Sequence, residues 1–312
     1  MTKKLAIIYG GLDEPEYEQS RAQAQFIADH IDKDRYETVL FDAQKDLVSL
    51  LQDAQVDLAF DASLGLLSNK ALVKTLLDLI GLPYLGSNPN IVRTTYTRSF
   101  IDAVFDDAFM QSDFPNAHTA KKMVITKELY EHFDLREAFD LASKTRELPL
   151  FLRSNYQKSS DVQRKVRNTD IFIVGLEQIF EHDDEASLEE WIEGAIVSVP
   201  VVGNGSDAFC LPILEHSRKE TFVPLRRETL SSNPEQAEAM YATLERAALE
   251  SYWSYGVKDY GLIHLEWDGR AIVLDVEANP AMGLKSDFVL SAELTEGGFK
   301  EILSFILDDT NL

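Results

Sequence analysis

Apolar positions in the first ninety or so residues recur in two rhythms. "KLAIIYGG" (residues 4–11) is a near-continuous apolar run stopped by paired glycines, which predicts a buried strand. Further on, Ala22, Phe26, Ile27 and Ile31 make a stripe at helical spacing. "ETVLFDA" (37–43) and "VDLAFDAS" (56–63) predict two more strands, and "KDLVSLLQDA" (45–54) and "NKALVKTLLDLIGL" (69–82) two more helices, before a short strand-turn "PYLGSNP" (83–89). Strand and helix in alternation argue for a parallel sheet with helices on both faces.

After the Gly86–Pro89 turn the order becomes mixed. A helix is expected around 93–105, a strand at 120–126, a helix or helix pair at 127–145, a strand at 148–155 and a helix at 171–183. Residues 187–205 begin acidic and continue as an alternating strand. The segment 234–256 predicts a long helix, with Pro234 in its first turn and Gly256 closing it. A terminal helix is expected at 299–309, and the chain has neither repeats nor a low-complexity tract.

Between the last two helices lies "IHLEWDGRAIVLDVEANPAMG" (263–283), a hairpin whose Asp268–Gly269 pair suits a two-residue turn. That turn sets Glu266 opposite Ala271 and His264 opposite Val273. A strand alternates faces, so Asp275, Glu277 and Asn279 share one face, while Ile272, Leu274 and Val276 take the core face. Without a bulge, His264 and Glu266 join the polar side. Such a row of hard oxygen donors suits magnesium, and it equally suits a solvated acidic face. His264 itself reads as a hydrogen-bonded polar residue before it reads as a metal ligand.

Composition narrows the partners. The 312 residues carry 53 acidic and 30 basic side chains, a formal net charge of -23 that disfavours nucleic acid and anionic membranes. The one local basic cluster, 218–228, is either a solvated loop or a reach toward phosphate or carboxylate. Cys210 stands alone, which excludes an intrachain disulfide and any CxxC metal site. No apolar run is long enough to span a membrane, so the expectation is a soluble cytoplasmic protein. A homodimer is carried as an open expectation.

Several segments, in order, resemble the D-alanine–D-alanine ligase branch of the ATP-grasp family over nearly the full chain. "YGGLDEPEYEQS" (9–20) is similar to the family's double glycine and the Glu–x–Glu–x–Ser pattern after it, through Glu16, Glu18 and Ser20. "LIGLPYLGSNP" (79–89) is similar to the segment joining the first two domains, and "SLEEWIEG" (187–194) to the nucleotide hinge. "VEANPAMG" (276–283) is similar to the metal-binding Glu–x–Asn motif and the glycine turn after it.

The resemblance implies an α/β ATP-grasp fold. Its parts would be an N-terminal parallel-sheet domain (1–88), a central subdomain (89–186) and a C-terminal subdomain with the metal site (187–312), enclosing a nucleotide cleft. It implies ATP and Mg2+ as cofactors, a small-molecule amino-acid substrate such as D-alanine, and ligation through an acyl phosphate. Arg98, Arg153, Ser159 and Ser160 would meet phosphate, Glu189, Glu190 and Trp191 the adenine side, and Glu16 the substrate amine. Glu277 and Asn279 would hold the metal, with Asp275 or Glu266 joining them.

The sequence departs from the family at several of these places. Arg98 and Arg153 stand where two ATP-contacting lysines are expected, and a planar fork is not a compact ammonium. The phosphate loop, Gln157 to Asp161, lacks glycines. "DASLGLLSNKA" (61–71) replaces two signature motifs, Ile196 replaces the ribose-binding glutamate, and Leu262 and His264 replace an Arg–x–Asp pair. These losses also fit a weakened or inactive relative that acts as a binding or regulatory protein.

Overall fold

The computed structural model describes residues 2–100, 104, 116–145, 147–156, 162–216 and 222–309. In these residues the strands form three sheets. The first is parallel, with β1 (Lys3–Tyr9) between β2 (Tyr36–Asp42) and β3 (Leu58–Asp61). Helices α1 (Glu14–His30), α2 (Leu47–Ala54), α3 (Gly65–Asn69) and α4 (Leu72–Ile80) connect or follow these strands, and α5 (Pro89–Tyr96) comes next. The 83–89 segment adds only a single bridge, Tyr84 to Ala59.

The apolar stripe of α1 is rotated from the expected one. Ala24, Ile27 and Ala28 are buried and Ala22 is exposed, because Ser20 and Gln23 also turn inward. Their side chains donate to the carbonyl of Ala62 at 2.8 and 3.1 Å, and Ser20 accepts from the Gly10 amide. Loop backbone at the sheet's C-terminal edge thus takes polar partners from the helix.

The second sheet is antiparallel, in the order β5 (Lys122–Thr126), β8 (Glu185–Glu190), β6 (Leu150–Ser154), β7 (Gln163–Val166). The helix pair α6 (Lys127–His132) and α7 (Leu135–Thr145) and the helix α8 (Thr169–Ile179) belong to this part. Phe139, Phe172 and Leu176 pack with Leu150 and Leu152 in its core.

The third sheet runs β12 (Phe222–Pro224), β11 (Leu214–His216), β9 (Ala195–Val202), β13 (Tyr260–Trp267), β14 (Ala271–Glu277), β4 (Ala117–Thr119), with β10 (Phe209–Cys210) against β9. After the short α9 (Arg227–Leu230), the long α10 (Pro234–Ser254) sets Leu244, Ala247, Ala248 and Tyr252 on this sheet. Helices α11 (Asp287–Ala292) and α12 (Gly298–Asp309) share a core with the first sheet, where Phe288, Phe299 and Leu303 meet Leu5 and Ile7. No helix among the described residues is long and apolar enough to cross a membrane.

Two expectations about strands are corrected. Residues 187–205 do not form one strand: β8 and β9 lie in different sheets, so the polypeptide crosses between sheets at Trp191–Gly194. The hairpin does not turn on two residues either. Trp267 pairs with Ala271 across a three-residue loop in which Gly269 has φ +104°. A bulge then shifts the ladder, so that Leu265 pairs with Val273 but His264 with Asp275. The extra residue is Leu274. Val273 and Val276 both reach the core, whereas Leu274 turns to the cleft beside Asp275 instead of into the core as expected.

Candidate active site

A cavity of about 630 Å³ opens where the second and third sheets face each other, walled by β6, β8, β13, β14 and the crossing between β8 and β9. The crossing is held by its own backbone: the Gly194 amide donates to Glu266 Oε1 at 3.0 Å. A Cβ on Gly194 would lie 2.2 Å from the Trp267 carbonyl oxygen, so the strand can pass this close only as glycine. Burial raises the Glu266 carboxyl above its ordinary range, with the amide bond opposing.

At the centre of the cleft four charged side chains form one network. Arg153 donates Nε to Glu189 Oε1 at 2.9 Å and Nη2 to Oε2 at 2.8 Å, a bidentate fork. Its Nη1 lies 3.5 Å from Asp275 Oδ2. Arg98 reaches the same aspartate through Nε at 2.8 Å and donates Nη1 to the carbonyls of Ser154 and Tyr156. Burial pushes the Glu189 carboxyl up, but the charge of Arg153, then that of Lys122, and the fork outweigh it and hold the carboxyl at about 2. Arg98, Arg153 and Glu189 are all nearly inaccessible. Among the described lining residues seven carboxylates face two arginines, and both arginines are already paired.

A second series of hydrogen bonds crosses the cleft at His264. The Ser198 hydroxyl donates to Asp287 Oδ2 at 2.8 Å and lies 3.0 Å from His264 Nδ1. Its single proton is given to Asp287, so it accepts from the Nδ1–H. His264 Nε2 lies 3.0 Å from Glu277 Oε1, a carboxylate oxygen that can only accept. With these partners both ring nitrogens are placed to donate, an arrangement that favours the protonated ring. Burial pulls the His264 pKa down, but the bond and charge of Glu277, then Asp287 and Asp275, raise it above the ordinary value.

The remaining expected site residues are placed as follows. Glu190 and Trp191 line the cleft at the crossing. Trp191 packs edge-on to Phe151 at 5.7 Å, and the Lys165 ammonium sits 3.9 Å from its ring centroid, so one ring face already has a cation on it. Asn279 turns to another wall, accepting from the Tyr260 hydroxyl at 3.2 Å and donating to Ser68 at 2.8 Å. Glu16 is in the first turn of α1, which Asp13 caps: Asp13 accepts from the Glu16 amide at 2.8 Å, and the Glu16 carboxylate takes the Leu12 amide at 3.3 Å against Gly65. It is not among the residues lining the cleft. Ser159 and Ser160 lie outside the described residues.

The residues expected to hold metal, Glu277, Asn279, Asp275 and Glu266, are not brought together. Glu277 faces the His264 ring, Asp275 is clamped by two guanidiniums, Glu266 accepts from Gly194, and Asn279 bonds Ser68 and Tyr260. No three acidic, histidine or cysteine side chains among the described residues converge as a metal-binding group. Magnesium needs near-octahedral oxygen donors at about 2.1 Å, and this set does not fit it.

Sequence reasoning missed Ser198, Asp287 and Phe151. Ser198 carried a signal, as the one hydroxyl in the apolar run "AIVSVPVV". Asp287, in the first turn of α11, is legible only in three dimensions.

No family model matches the chain. It is 25% identical over 288 residues to a D-alanine–D-alanine ligase of Halalkalibacterium halodurans, covering 89% of this chain and 90% of that protein. A D-alanine–D-alanine ligase of Clostridium perfringens is 23% identical over 313 residues, 98% of this chain and 97% of the relative. Among solved structures, the D-alanine–D-alanine ligase of Bacillus anthracis complexed with ATP superposes with a TM-score of 0.79 at 21% identity, covering 99% of this chain and 96% of that one. The VanG D-Ala:D-Ser ligase of Enterococcus faecalis gives 0.78 at 17% identity, over 99% of both chains. Whole-length sequence similarity and the shared fold make this protein D-alanine–D-alanine ligase-like, with the ATP-grasp architecture.

Proposed function

We propose that the protein is an ATP-dependent carboxylate–amine ligase that joins two small amino acids, with D-alanine the first candidate. The whole-length match to ligases carries this reading, because it preserves the order of elements that builds a cleft between the second and third sheets.

The nucleotide would lie with its base along the β8–β9 crossing near Glu189, Glu190 and Trp191, and its phosphates toward Arg98 and Arg153. The Ser159 and Ser160 hydroxyls follow β6 in the sequence and would join the phosphates. A substrate carboxylate oxygen attacks the terminal phosphorus and ADP leaves. The amine of the second substrate then attacks the acyl carbon, phosphate leaves, and the new amide nitrogen gives up a proton. The protein contributes position and charge rather than a covalent partner. Arg98 is fixed by two carbonyls and Asp275, so its geometry is set before any ligand arrives. Glu16 would orient the first amine only by leaving its contact with the Leu12 amide.

Heavy-oxygen label in the carboxylate of D-alanine tests the acyl phosphate. The reading expects the label in released phosphate. ATP binding without phosphate release, with D-alanine or any other amino acid, would support nucleotide binding without ligation instead. That second reading draws on Leu262 and Ile196, two apolar side chains lining the cleft, and on both arginines being paired. The naming of the relatives as ligases weighs against it.

A further inference from the structure

The disagreement between this donor set and magnesium has a specific cause, and it points to how this cleft handles charge. We infer that His264 fills the place a divalent ion would take beside Glu277, so that the cleft binds its nucleotide without using Glu277 or Asn279 as metal ligands. This rests on the reading of the cleft as a nucleotide site.

Three elements aim the ring. His264 comes from β13, Ser198 from the neighbouring strand β9 at the paired position, and Asp287 from the first turn of α11. Ser198 is fully buried, so its bonds to Asp287 and His264 are shielded from exchange with water. With Nδ1 anchored, Nε2 points at Glu277 Oε1 at 3.0 Å. A divalent ion on that oxygen would have to displace the His264 ring, which Ser198 and Asp287 hold in place through Nδ1. The bulge at Leu274 is what brings Asp275 opposite His264 and puts Glu277 two residues further along, opposite Leu262.

Asn279 reinforces the point from the other side. Its carbonyl oxygen, the only hard donor it has, takes the Tyr260 hydroxyl, and its amide nitrogen bonds Ser68 across from the first part of the protein. Recruiting that oxygen to a metal would compete with its bond from the Tyr260 hydroxyl, while the amide nitrogen stays held on Ser68 of α3. The Asp275 carboxylate is similarly committed, to the guanidiniums of Arg98 and Arg153.

The test is calorimetric titration of the full-length protein with ATP, in excess Mg2+ and in chelator, on wild type, E277Q and H264D. The ratio of affinities with and without metal is the readout, since a metal ligated by the protein makes affinity metal-dependent. The inference expects E277Q to leave that ratio within about twofold of wild type, and H264D, which trades the imidazole for a hard oxygen donor, to raise it by about tenfold or more. A large wild-type ratio that E277Q or N279A collapses would overturn it, and the nucleotide reading would stand. If wild type binds no ATP in either condition, the nucleotide reading fails, and a Mn2+ titration followed by electron paramagnetic resonance decides the metal claim alone. H264D but not wild type should then bind Mn2+. A wild-type Mn2+ site lost in E277Q would overturn the inference, as would H264D that is folded by circular dichroism yet gains no site.

Discussion

Arg153 shows how much one side chain holds in this cleft. It is buried and forked onto Glu189, so truncating it leaves that buried carboxylate without its guanidinium, while Asp275 keeps Arg98. Removing one partner of a buried pair costs about 3–5 kcal/mol, and Arg153→Ala should lose that much in urea denaturation. A loss under about 1 kcal/mol would mean the network is solvated, as exposed pairs are. Glu189 gives the matching pH dependence. Its carboxyl is held at about 2 in the folded protein against an ordinary 4.5, so the unfolded chain binds the proton more readily. Its contribution is complete above the ordinary value and is lost as pH falls from there through the folded value. Stability followed from neutral pH downward should drop more steeply in that window for wild type than for Glu189→Gln. Parallel curves would contradict the assignment. The sequence made Arg98, Arg153 and Glu189 visible as candidates, each at a motif position. It could not say that Arg153 bonds Glu189 or that Arg98 bonds Asp275, because these contacts join residues 36 and 177 positions apart.

At the scale of elements, periodicity was a good guide wherever one face is buried and the backbone is regular. The long helix α10 runs from Pro234 to just before Gly256 as its punctuation suggested, because Asn233 caps its first turn and Gly256 takes φ +66° at its end. The hairpin was legible as a hairpin but not in register. A dipeptide such as Asp268–Gly269 does not distinguish a two-residue turn from a three-residue loop, and no local pattern announces a bulge at Leu274. The crossing between β8 and β9 was hidden for a related reason. Its polarity reads as an edge, while its true constraint is Gly194 lying against the Trp267 carbonyl. Gly194→Ala should therefore destabilise by about 1–3 kcal/mol through overpacking against backbone that cannot yield. It should also weaken ATP binding, since the same crossing walls the cleft. A thermal midpoint unchanged from wild type would show that the strand can move aside.

For the whole molecule, the first sheet is bound to the third by a polar joint as well as by shared core. Asp259, at φ +63°, accepts from the Gly86 amide at 2.7 Å and from Asn204 at 2.8 Å. Lys74, fully buried nearby, donates to the Ser87 carbonyl at 3.2 Å, and burial pushes its pKa down to about 8 despite the charges of Asp61 and Asp259. Asp259→Ala would remove the acceptor of the Gly86 amide and one bond of the Asn204 amide nitrogen, and leave a left-handed backbone position without those compensating bonds. A cost of about 2 kcal/mol or more is expected in denaturant unfolding. A neutral result would mean that core contacts alone set how the two parts join. The strongly negative protein makes the paired arginines the main positive feature of the described cleft, and the ligase reading stands or falls on whether that cleft turns ATP over. The most direct measurement is mass-spectrometric product analysis after incubating the purified protein with ATP and D-alanine. A D-alanyl dipeptide is expected, with ADP and phosphate in equal amounts. ATP recovered intact, with no amide product from D-alanine or from a panel of other small amino acids, would contradict the ligase reading.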